Sequence, residues 1–159
     1  MNESGKTARN PHDVVAALAD HEDAIGDLYA AYGLRFPDAA SFWEGLSAEE
    51  YGHGSLMRDL GAVPHELDVF VDTARFPLPD LRAATRAVRD EIEVAENSRV
   101  TLIEALETAL ALEQEMIERD AYQAFASDTT NVSRVLNHLR VSSERHRDTL
   151  RDYLKRVSR

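Results

Sequence analysis

Apolar residues recur at helical spacing along most of the chain. From Asp13 onward, Val14, Leu18, Ile25, Leu28, Tyr29 and Tyr32 form one stripe, and "RFPDAA" breaks it. A second stripe of Phe42, Trp43, Leu46, His53, Leu56, Met57 and Leu60 predicts a helix from near Asp38 to Gly61. Residues 61–79 contain Pro64, Pro77 and Pro79 and are the least regular part. Leu81, Ala84, Val88, Ile92 and Ala95 then predict a shorter amphipathic helix. "TLIE" at 101–104 has the Ser/Thr-x-x-Glu form of a capping box, which starts a third long helix expected to reach about Phe125. "ASDTTN" makes the next turn, and Val132, Val135, Leu136, Leu139, Leu150 and Leu154 carry a fourth long helix to the C-terminus. No segment alternates with the period of a strand. The chain reads as all-α.

Two short turns and one long connection group these helices as pairs 1–2 and 3–4. That layout is a four-helix bundle with a long crossover between helices 2 and 3, the crossover containing a short helix. Residues 1–12 read as a flexible tail and 13–159 as the bundle, since 159 residues are too few for two comfortable domains.

Composition narrows the chemistry. Hydrophobic residues at 43% and charged residues at 30% are those of an ordinary globular chain rather than a disordered one. A net charge of −11 argues against nucleic acid and anionic membrane surfaces and is compatible with cations. No apolar run approaches the roughly 18 residues of a membrane span. The polar start "MNESGKTARNPHD" has no signal-peptide core, so a cytoplasmic location is expected. With no cysteine, any metal centre has to be built from carboxylates and imidazoles.

The ligands for one are present in duplicate. An offset of 93 residues lays Glu22 on Glu115, Tyr29 on Tyr122 and His53 on His146. Each half thus has a Glu, a Tyr seven later and a His 31 after the Glu. Glu50 and His53, three apart, share a helix face. Carboxylates and imidazoles converging inside a bundle are poorly solvated without a cation, whereas with divalent ions they become ligands. Paired ions sit about 3.5–4 Å apart, so His53 and His146 are expected to lie within about 10 Å of each other. His12, His21, His65 and His138 have no partner at ligand spacing. Glu49 and Glu144 are expected to face outward, and Glu107 and Glu113 read as surface charge.

The motifs "HEDAIGDLY" (21–29), "EEYGH" (49–53), "EQEMIERDAY" (113–122) and "SSERH" (142–146) resemble those of the ferritin-like superfamily. The closest resemblance is to its rubrerythrin-type branch, across about 13–156. The resemblance implies a di-iron carboxylate centre with Glu22, Glu50, His53, Glu115 and His146 as ligands. Glu118, three after Glu115, would be the auxiliary ligand of that branch, and Tyr29 and Tyr122 would orient carboxylates from behind. Ser143 departs from the pattern, because the family and the repeat both have Glu there. The ion near His146 is therefore expected to be the weaker of the two. The rubredoxin-type module, which needs four cysteines, is absent.

The implied activity is oxidoreductase chemistry on O₂ or peroxide, of the peroxidase or ferroxidase type. Iron is the expected metal, with zinc or manganese as substitutes, and a separate protein would donate electrons. A homodimer is expected, as is common in look-alikes. The alternative is a non-enzymatic bundle with a degenerate site, serving as a metal-binding or protein-interaction module.

Overall fold

A computed structural model of the chain describes residues 11–62, 77–118 and 130–159. Among these there are five α-helices and no strand: α1 (Pro11–Arg35), α2 (Ala40–Gly61), α3 (Leu78–Asn97), α4 (Leu102–Glu118) and α5 (Thr130–Val157). A single 3₁₀ turn, Pro37–Ala39, joins α1 to α2 at the "RFPDAA" break. The all-α expectation holds. No described helix is long and apolar enough to cross a membrane.

α1 begins at Pro11, two residues before the boundary expected at 13. Proline suits the first turn of a helix, where its missing N–H has no acceptor to lose. His12 then ties α1 to the end of α2, with Nδ1 3.0 Å from the carbonyl of Gly61. Near the other end of α1, a Cβ on Gly33 would stand 3.5 Å from that of Trp43 at the start of α2. The two helices therefore run antiparallel along their length. α4 opens with the capping box read from "TLIE". The backbone N–H of Thr101 donates to Glu104 (2.8 Å) and that of Glu104 to the Thr101 hydroxyl (3.2 Å).

The core falls into two apolar clusters. One gathers Val14, Val15 and Leu18 of α1 with Met57 and Leu60 of α2, Leu81 of α3, Met116 of α4 and Leu136 and Leu139 of α5. The other gathers Ile25, Leu28, Tyr29 and Tyr32 with Trp43, Leu46, Val88, Ala95, Ala105, Leu106, Ala109 and Leu150. The early residues of α4 thus share a cluster with the late ones of α5, and the late with the early, so this pair is antiparallel too. α3 advances beside α1 in the same direction, Leu81 near the start of α1 and Ala95 near its end. At 20 residues it is a full-length helix rather than the short one expected. Between the two clusters lies a buried polar layer: His21, Glu22, Glu50, His53, Glu113, Ser142, Ser143 and His146.

Candidate metal centre

Four helices supply this layer. α1 contributes Glu22, α2 Glu50 and His53, α4 Glu113, and α5 His146. Ligand atoms of Glu22, Glu50 and His53 lie within 4.8 Å of one another, as do those of Glu50, Glu113 and His146. Glu50 belongs to both groups. Its Oε2 is 3.0 Å from His53 Nδ1, and its Oε1 is 2.6 Å from His146 Nδ1. The imidazoles stack with centroids 5.5 Å apart, inside the spacing that a shared pair of ions demands. His146 Nδ1 also stands 3.4 Å from Glu113 Oε1.

The outward nitrogens of both imidazoles are held by side chains at the rim. His53 Nε2 is 3.0 Å from the Ser142 hydroxyl, and His146 Nε2 is 3.0 Å from Glu49 Oε2. Arg145 pairs with the same Glu49 oxygen. A metal-binding histidine is oriented by this kind of partner on its second nitrogen, and here both Nδ1 atoms are left facing the interior. From below, the hydroxyl of buried Tyr29 donates to Glu113 Oε1 at 3.0 Å.

Gly54 sets the spacing of α1 and α2 beside this layer. A Cβ there would press on the Asp23 carboxylate and come within 3.2 Å of the Ala19 carbonyl. Asp23 is itself held by Arg58. The absence of a side chain lets the backbone bearing Glu22 approach that bearing Glu50 and His53.

Without an ion these groups balance one another poorly. Burial works against the charged form of Glu50, but contacts to His146 and His53 outweigh it and hold this carboxyl well below its usual range. Burial and then the charge of Glu50 push Glu113 up to about 7. Burial opposes a charged His146, yet Glu113 and Glu50 override it and raise the imidazole to about 11. Burial, followed by Glu113, lifts the Tyr29 hydroxyl well above its ordinary value, so it stays a donor. Although Glu50 Oε1 and His146 Nδ1 are close, they are not aligned for a hydrogen bond, and both are buried without a hydrogen-bond partner. A divalent ion that displaced the imidazole proton would satisfy both atoms. Three carboxylates and two imidazoles, with no sulfur, suit iron, manganese or zinc.

Of the residues expected from sequence, Glu22, Glu50, His53 and His146 come together. Glu115 does not join them. It is exposed, and Glu113 stands in the layer instead. Two residues along a helix are separated by about 200°, so only one of the pair can face the centre. The signal for Glu113 was its place on the stripe Ala105, Ala109, Glu113, Met116, the buried face of α4. Ser143 is buried in the layer, three residues before His146. Tyr122 and the side chain of Glu118 lie outside the described residues. Glu49, expected to face outward, is partly exposed but its carboxylate turns back to His146. His21, buried, is 3.1 Å from the Thr85 hydroxyl of α3 rather than in the cluster.

Comparison of the chain with protein-family models, with curated proteins and with solved structures found no match.

Proposed function

We propose that this chain is a ferritin-like four-helix bundle of the rubrerythrin type, with α3 as its crossover, that holds two divalent ions and acts on O₂ or peroxide. The antiparallel pairs α1–α2 and α4–α5 support the bundle, as does the passage of α3 along α1 from one end to the other. The observation that carries the functional reading is Glu50. Its two oxygens face the two imidazoles from opposite helix pairs, as a carboxylate shared between two ions would.

In this reading Glu22, Glu50 and His53 hold one ion, and Glu50, Glu113 and His146 the other. Two ferrous ions would supply two electrons, to peroxide in a peroxidase or to O₂ in a ferroxidase. Glu49 and Ser142 keep the imidazoles turned inward, and Tyr29 steadies Glu113. Leu139 on one side and Tyr29, Trp43 and Leu150 on the other, all fully buried, belong to the apolar clusters that flank the layer. Turnover as a peroxidase needs an electron donor from a separate protein, and assembly as a homodimer belongs to the same proposal.

Metal analysis of the purified chain, followed by addition of ferrous iron under air, tests it. Two irons per chain with rapid oxidation are expected. No bound ion and no oxidation would overturn it. The second reading, a metal-binding bundle without turnover, draws on Ser143, which leaves the centre one carboxylate short. One bound ion and no oxidation would favour that reading.

A further inference from the structure

Ser143 occupies a particular place. It lies three residues before His146, so both side chains fall on the same face of α5, and both are buried. Its neighbour Ser142 already reaches His53. Ser143 therefore lies between a residue that meets His53 and one that meets Glu50 and Glu113. A glutamate is longer than a serine by a methylene and carries a carboxylate in place of the hydroxyl. The difference is about the size of acetate.

Charge makes the shortage specific. Glu22, Glu50 and Glu113 bring three negative charges to a buried layer, and the two imidazoles bring none when they act as ligands. Two divalent ions bring four positive charges. One positive charge is left over in a region where an uncompensated charge is costly. The other described carboxylates around α5 are committed elsewhere. Glu49 pairs with Arg145 and His146, and Glu144 pairs with Arg140 at 2.9 Å.

We infer that the loaded centre takes one small monocarboxylate from solution, of formate or acetate size, beside Ser143 as its fourth carboxylate. The inference rests on the two-ion reading above and adds to it the chemical class of an external ligand. A carboxylate is the group that this environment lacks, since hard divalent ions favour anionic oxygen.

The test titrates Mn²⁺ into the chelator-stripped full chain, following free Mn²⁺ by its electron paramagnetic resonance signal, in chloride buffer with and without acetate. Acetate should tighten the second equivalent by about tenfold or more, the scale on which supporting groups tune metal affinity, and leave the first unchanged. Ser143→Glu should bind two ions without acetate and lose the response. Ser143→Val, which puts apolar bulk at the position without supplying charge, should lose the response and keep a weak second site. Two ions bound with no acetate dependence would overturn this inference and leave the two-ion reading standing. A second ion that binds in neither buffer would overturn both. An equal response to phosphate would overturn the assignment to a carboxylate. An acetate response that emerges only in Glu118→Gln would overturn it in favour of Glu118.

Discussion

Glu113 and Glu115 differ by two positions on one helix and by almost everything else. The first is buried beside His146 and Tyr29, and the second is exposed. Glu113→Gln keeps the shape and the Tyr29 contact but removes an anionic ligand. It should weaken the second metal equivalent by at least about tenfold, whereas Glu115→Gln should leave both equivalents unchanged in the same calorimetric titration. Loss of affinity in the second variant, or none in the first, would restore the assignment read from the 93-residue offset. Four of the five clustered side chains were legible in sequence, because Glu50-x-x-His53 and the matched His146 fix their own helix faces. The fifth was not, because matching like with like across the repeat ignored the phase of α4. Ala105, Leu106, Ala109 and Met116 define the buried face of that helix, and Glu113 lies on it. Glu49 and Ser142 gave no such signal. What recruits them is the meeting of α2 with α5, which no local pattern records.

At the scale of elements, the break at "RFPDAA", the stop at Gly61 and the box at Thr101 were all readable, since each rests on local chemistry. The length of α3 was less so, because its N-terminal end follows a proline-rich stretch that hides the start of the period. The close seam between α1 and α2 depends on Gly54. Gly54→Ala gains helix propensity of roughly 1 kcal/mol. The new methyl, however, meets Asp23 and the Ala19 carbonyl, and overpacking of this kind costs about 1–3 kcal/mol. The net expectation is a lower melting temperature together with weaker binding of the first ion, because Glu22 is moved from Glu50 and His53. A variant with an unchanged melting temperature and unchanged metal affinity would show that the seam tolerates a wider spacing.

The described helices pack around two apolar clusters with one polar layer between them, and stability should follow the protonation of that layer. Glu113, with an ordinary value of 4.5, is raised to about 7. Its contribution is complete below pH 4.5 and is lost as the pH rises through about 7. His146 is raised from 6.5 to about 11, so its contribution is complete below 6.5 and drains away as the pH climbs toward 11. Glu50 works in the opposite sense, its contribution being present above its usual range and lost in acid. The metal-free chain should therefore melt at progressively lower temperature between about pH 5 and pH 9. Saturating Mn²⁺ or Zn²⁺ should flatten or reverse this slope, because ions replace the protons and bind better as protons leave. Thermal denaturation with chelator and with metal across that range decides it. A metal-free slope that rises with pH would mean that His146 and Glu113 are not sharing the layer.

Trp43 is the chain's single tryptophan, fully buried, with its ring 5.6 Å from that of Tyr29 and 4.9 Å from that of Tyr32. Tyr29 in turn holds Glu113. An indole so placed emits from a dry environment, and any shift of Glu113 on taking up an ion passes through one phenol to the fluorophore. If the centre takes up ions as proposed, the protein contains its own optical gauge of occupancy. Its emission would follow the filling of the centre in dilute solution with no added dye, and a paramagnetic ion would register as quenching where a closed-shell one would not.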